Sequence, residues 1–361
     1  MDAIIPFSGL LILALSWLTT RNLLPRIRKH NLSSGRLDQP NERKTQVAAV
    51  PYGAGLSCVI GILTPVLLGG ALLVSQRFFG WPSIIETHSE GLASKLPLML
   101  AILGGAAILA FMGRRDDTSS MGVGVRLCIQ VAVALTFATF GARATLFMDA
   151  PALQVALTVA WILFVTNAIN FIDNTDGVMP SVAACVAAGI LCIALLDGQL
   201  FVAAFALALM GSLIGVIPFN WHRASVYMGD EGSMPVGFLL ATLSIVLTTT
   251  TDVGSRNTVA PFLIPPLLLA VPLIDASWVI SRRILVGKSP FRADQDHLAH
   301  ALGRQGWQPP RIAAFAAAYT LNFSAMAVFV HGDSTLHNVI AVTLCLPHVA
   351  FLMKCRRTKS T

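Results

Sequence analysis

The chain has 361 residues, of which 55% are hydrophobic and only 12% charged, with a mean hydropathy of +0.71 and a net charge of +7. Soluble domains carry about 25% charged residues, so these values exclude a soluble enzyme and describe an integral membrane protein. The apolar stretches are of helix length, and at roughly 20 residues per crossing the expectation is an all-α polytopic bundle of about eleven transmembrane helices, residues 1–361 forming one membrane domain with no separate soluble unit.

Ile4 to Leu24 is the first predicted span. It lacks a basic start and a small-residue cleavage site, so it reads as a retained helix rather than a signal peptide. Arg21, Arg26, Arg28 and Lys29 follow it, which puts the N-terminus outside and the next loop inside. Further spans are predicted near 51–75, 96–113, 123–147, 151–172, 178–196, 199–220, 234–250, 258–280, 311–331 and 336–354, leaving the C-terminus inside. The charges support this order: of the 25 Lys and Arg, only Arg77, Lys95, Arg143 and Arg256 fall outside.

The six cysteines form no CxxC pair, and at least Cys58, Cys128, Cys185, Cys192 and Cys345 lie in apolar runs, so they read as small hydrophobes. The basic balance follows loop orientation. No Lys/Arg run alternates with aromatics, which excludes nucleic acid as a partner.

Every polar cluster falls on the inner side: residues 36–46, 113–120, 167–177, 220–233 and 282–300. In the stretch 167–178, Asn167, Asn170, Asp173 and Asp176 recur every third residue. On a helix that spacing stacks them along roughly one face. Four oxygen-bearing side chains ending a membrane-length segment are expensive unless they hold something. The plain reading is a polar helix end; the functional one is a site for a hard cation and a charged substrate.

Asp116 and Asp117 are adjacent acids where the third span ends, suited to a general base, a metal ligand, or one of each. Gly229-Asp230-Glu231-Gly232-Ser233 opens the eighth span; glycines let backbone N–H groups approach an anion, although Asp230 or Ser233 could equally be an ordinary N-cap. Tyr227 and Trp221 could stack on a base or belong to the interfacial aromatic belt, the belt suiting Trp221 better. His297 and His300 follow Asp294 and Asp296; with carboxylates dominating, Mg²⁺ or Mn²⁺ suits the cluster better than zinc. Histidine beside Arg292 suits a pyrophosphate. Acids for a cation, cationic groups for phosphate oxygens and a membrane location together point to phosphoryl transfer between a diphosphate and a lipid phosphate.

The motifs resemble, in order, those of the polyprenyl-phosphate N-acetylaminosugar-1-phosphate transferases of glycosyltransferase family 4, which begin O-antigen, enterobacterial common antigen and peptidoglycan lipid intermediates. The resemblance spans roughly residues 36 to 302. It covers the double acid Asp116-Asp117 with Arg126 and Gln130, the pattern Asn167, Asn170, Phe171, Asp173, Asp176, Gly177, the set Gly229, Asp230, Gly232, Ser233, and the histidine motif. It implies that Asp230, helped by Asn170, binds Mg²⁺ or Mn²⁺ and that Tyr227 stacks on uracil. It further implies that Arg126 contacts phosphate and that Asp116 is the base for the lipid phosphate. Asp117, Asp173 and Asp176 are carried over as catalytic acids, and Lys44, Asn167, Arg292, His297 and His300 as substrate contacts. The implied partners are undecaprenyl phosphate, a UDP-N-acetylaminosugar and the bilayer, with the active site on the cytoplasmic face of a bacterial plasma membrane; a homodimer is compatible with this. The chain departs from the family at Gln46, at Ala54-Gly55, at Asn174-Thr175, and at Arg126, where Lys is usual. The single HxxH points to the O-antigen and common-antigen branch. The alternatives are a proton- or cation-coupled transporter, whose acids belong near the bilayer midplane, and a scaffold with a decayed site.

Overall fold

The computed structural model describes residues 4–39, 49–79, 83–144, 149–249, 260–289, 296–332 and 335–355. The elements run α1 (Ile4–Ser33), β1 (Leu37–Asp38), β2 (Val50–Pro51), α2 (Ala54–Phe79), α3 (Ser83–Thr118), α4 (Val123–Phe140), α5 (Pro151–Phe171), α6 (Val178–Leu196) and α7 (Leu200–Asn220). Then come α8 (Asp230–Thr249), α9 (Ala260–Leu268), α10 (Ala270–Leu285), α11 (Leu298–Arg304), α12 (Pro309–His331) and α13 (Thr335–Cys355). Helices satisfy their own backbone hydrogen bonds, which apolar surroundings demand. Ten of them are long and apolar enough to cross a membrane, and α9 with α10 would make an eleventh.

That last pair corrects the predicted continuous span 258–280. α9 and α10 are bent by 82° at their junction. Pro272 has no N–H to donate to the Leu268 carbonyl, and Pro265 and Pro266 weaken the helix before it. Several boundaries also move. α1 continues to Ser33, nine residues past Leu24; α3 begins at Ser83 rather than 96 and continues to Thr118, so Arg114 to Asp117 are its last turn rather than a loop; and α4 ends at Phe140, short of the predicted 147.

α8 is the axis of the bundle, buried at every residue from Glu231 to Leu247. α3 and α5 pack along it, while α1, α2, α6 and α7 pack among themselves beside it, and α12 lies on α6. Small residues allow close approach: a Cβ on Gly55 of α2 would run into the backbone of Gly232 of α8.

The two ends of the bundle differ. At one end Asp197, after α6, pairs with His331 of α12 at 2.9 Å, and Gln199 donates to the Leu247 carbonyl at 2.9 Å. The opposite end gathers the C-termini of α1, α3, α5 and α7 and the N-termini of α2, α6 and α8. Its short β1–β2 hairpin meets the 227 turn, where Tyr227 N–H donates to Pro51 O at 3.0 Å. The C-terminus of α13 lies at this end too, since Gln305 donates to the Cys355 carbonyl at 2.6 Å.

Candidate active site

The predicted stripe 167–176 is not one helical face. α5 stops at Phe171, where the Asn174 side chain donates to the Phe171 carbonyl at 2.7 Å. Gly177, at φ +74°, starts α6 from the left-handed region that glycine tolerates. Asn167 and Asn170 are therefore helical, while Asp173 and Asp176 lie in the turn. Asn170 donates from Nδ2 to Asp230 Oδ1 at 2.7 Å and to Ser233 Oγ at 2.8 Å. Its Oδ1 has no hydrogen-bond partner among the described residues. Asn167 is one turn deeper, donating to Gln130 Oε1 at 2.8 Å and to the Leu163 carbonyl at 2.8 Å; it braces α5 on α4.

The two acids of α3 divide their work. Asp117 Oδ1 accepts the Asp230 N–H at 3.0 Å and Oδ2 accepts the Glu231 N–H at 3.1 Å. It caps the N-terminus of α8 from another helix, satisfying two orphan donors. Asp116 instead accepts from Arg126 at 2.6 Å and from the Met121 N–H, and stands in hydrogen-bonding contact with the Asp230 carboxyl. Arg126 also approaches Asp230 Oδ2 at 3.5 Å. Gly229, at φ +64°, is required twice over, because a Cβ there would lie 2.5 Å from Asp117 Oδ2.

Asp173 is half-buried and accepts the Gly229 N–H; burial first, then the charges of Asp230 and Asp117, hold its carboxyl well above the usual carboxylate range. Asp176 Oδ2 meets His222 Nδ1 at 3.0 Å and accepts the Ala224 N–H at 3.1 Å. Tyr227 borders this group, and burial, then Asp176, pushes its phenol up. Tyr52 donates to Asp38 Oδ1 at 2.7 Å beside it.

His297 packs against Phe171, with His300 next to it. The His297 ring is 5.7 Å from that of Phe171 and 6.2 Å from that of His300. Lys44 and Arg292 fall outside the described residues, as do Asp294 and residues 40–46 of the early loop.

Three features escaped the sequence reading. Glu231 is fully buried, bonded to Arg114 at 2.9 Å and facing Arg36 at 3.7 Å. His222 pairs with Asp176. Asp275 of α10 is buried against His297 at 2.6 Å. Only Asp275 left a legible signal, a lone acid in an apolar run.

The donor set suits a hard divalent cation. Asp116 and Asp230 are two carboxyls in contact, which needs a proton or a cation between them. Asn170 adds an amide oxygen with no other partner. Among the described residues no three His, Cys, Asp or Glu side chains form a ready ligand group. Two carboxylates and an amide oxygen could hold Mg²⁺ together with substrate phosphates and water.

A helical bundle with ten or eleven candidate spans among the described residues and an acid cluster beside Arg126 at one end suits a membrane enzyme that handles phosphorylated substrates. The sequence model of glycosyl transferase family 4 matches residues 99–248. The chain is 30% identical over 320 residues to the decaprenyl-phosphate N-acetylglucosaminephosphotransferase of Mycobacterium leprae, covering 79% of this chain and 77% of that protein. It is 29% identical over 296 residues to the probable undecaprenyl-phosphate N-acetylglucosaminyl 1-phosphate transferase of Bacillus subtilis (80% and 75%). It is 27% identical over 320 residues to the undecaprenyl-phosphate alpha-N-acetylglucosaminyl 1-phosphate transferase of Escherichia coli (84% and 80%). The chain belongs to glycosyl transferase family 4, and the transporter and scaffold alternatives are set aside.

Proposed function

We propose that this protein transfers an N-acetylhexosamine 1-phosphate from a UDP-sugar to undecaprenyl phosphate, releasing UMP and starting a lipid-linked glycan. The observation that carries this is the meeting of Asp116, Asn170 and Asp230, from three different helices, beside Arg126. An oxygen of the lipid phosphate attacks the sugar-bearing phosphorus; the bond to the bridging oxygen breaks and UMP leaves with that electron pair. The lipid phosphate is already anionic, so positioning and charge cancellation supply most of the rate.

Asp230 and Asn170 would hold Mg²⁺ or Mn²⁺, which when bound neutralises charge on the diphosphate. Asp116, kept in place by Arg126, receives whatever proton the lipid phosphate still carries. Arg126 also faces the phosphates. Asp117 fixes the start of α8 and hence the direction of Asp230. Asp173 and Asp176 order the 222–229 turn that presents Tyr227, and the Tyr227 ring stacks on uracil. His297 and His300 approach the diphosphate from the α11 side, with Lys44 and Arg292 as further phosphate contacts. The excess of basic residues in the polar turns supports an active site on the cytoplasmic face of a bacterial plasma membrane. The HxxH pair favours a sugar of the O-antigen or common-antigen type.

The test offers purified protein undecaprenyl phosphate and a panel of UDP-N-acetylhexosamines. UMP release with at least one sugar supports the proposal; none with any sugar, in the presence of Mg²⁺, refutes it.

A further inference from the structure

The buried partner of one substrate contact, His297, has no role in the transfer described above. Asp275, on the bent helix α10, is 2% exposed, and His297, which precedes α11, is 8% exposed; they meet at 2.6 Å between Oδ2 and Nδ1. The other carboxylate oxygen of Asp275, Oδ1, accepts the Leu298 N–H at 2.7 Å. One carboxylate thus caps α11 and grips the imidazole. Asp296, although adjacent in sequence, is turned aside to Arg282 at 2.8 Å.

The remaining ring nitrogen, Nε2, has no hydrogen-bond partner among the described residues. The ring lies edge-on to Phe171, and the Arg283 guanidinium stands 5.5 Å from the same Phe171 ring. Phe171 directly follows Asn170, whose amide reaches Asp230. The imidazole thus packs on the last residue of α5, the helix whose Asn170 reaches Asp230, with Nδ1 committed to Asp275.

We propose that Asp275 is the positioning residue for His297. Its carboxylate accepts Nδ1–H and so fixes which nitrogen meets the substrate. When the ring carries a second proton, Nε2–H is the donor left for a diphosphate oxygen, and Asp275 balances the imidazolium charge. The bend at Leu269 serves this arrangement, since it redirects α10 relative to α9. The proposal rests on the transferase reading and adds to it a second group of phosphate-facing residues, held by α10 and α11.

The test is a double-mutant cycle on the full-length protein in detergent, read as UMP release. Asp275→Asn keeps an oxygen for the Leu298 N–H but removes the charge, and its amide can only donate to Nδ1. It should lower kcat by 10- to 100-fold, as loss of an orienting partner does elsewhere, with the KM for UDP-sugar changed less than threefold. In a His297→Ala background the same change should lower kcat less than threefold, because the residue it orients is gone. Equal losses in both backgrounds, or full activity of Asp275→Asn, would overturn the proposal. If Asp275→Asn does not accumulate in membranes, Asp275→Glu and Asp275→Gln carry the comparison: Glu should retain activity that Gln loses, and equal activity of the two overturns the idea. Wild-type protein that releases no UMP defeats the transferase reading and this proposal with it; an active wild type whose two losses simply add defeats this proposal alone.

Discussion

Arg114→Leu is the most informative single perturbation outside the metal-binding set. Glu231 is wholly buried next to Asp230, and its firm partner is Arg114 at 2.9 Å; Arg36 is farther off at 3.7 Å. Removing one partner of a buried ion pair strands the other, at about 3–5 kcal/mol. Arg114 is itself 38% exposed and Arg36 remains, which favours the lower figure, about 3 kcal/mol. At roughly 2 °C per kcal/mol for a chain of this size, the apparent unfolding midpoint should fall by about 6 °C. Neutralising the stranded acid should then help: Arg114→Leu with Glu231→Gln should recover about half of that loss. Activity should follow, because Glu231 and Asp230 share the capped first turn of α8. The assay is thermal unfolding of detergent-solubilised protein with UMP release measured in parallel. An unchanged midpoint in Arg114→Leu, or no recovery in the double variant, would refute the claim that this pair holds α8 against α3.

Asp230→Ala should reduce transfer at least 1000-fold on the order expected for a lost metal ligand, while membrane levels stay normal; residual activity near wild type would remove Asp230 from the ion site. Transfer should stop in excess EDTA and return with Mg²⁺ or Mn²⁺; persistence in chelator would contradict the metal assignment. Tyr227→Ala should raise the KM for the UDP-sugar by about 10-fold, matching a stacking contribution of about 1–3 kcal/mol, and leave lipid use alone; equal KM values would reject stacking. Gly229→Ala should inactivate without unfolding, since it forces a Cβ against Asp117; wild-type rates would show that this approach is not needed.

The motif residues were legible because each needs a particular chemistry at a short, fixed spacing. Asn170 and Asp230, far apart in sequence, were paired through the resemblance, and they do meet at 2.7 Å. The regularity of threes in 167–176 misled, because periodicity does not reveal where a helix stops; the Asn174 side chain and Gly177 decide that. Nor could sequence divide Asp116 from Asp117. Adjacent identical acids differ only in what their neighbours donate to them, and those donors come from α4 and α8.

What the sequence determined by itself is the membrane bundle, the gathering of its polar turns at one end, and the acids available for a cation, because hydropathy and residue chemistry are properties of the chain alone. What only the tertiary structure decided is which side chain each acid faces: Asp117 on the α8 backbone, Glu231 between two arginines, Asp275 on His297. Those partners come from distant segments, and a charge excluded from water takes its role from whatever opposite group packing brings within reach.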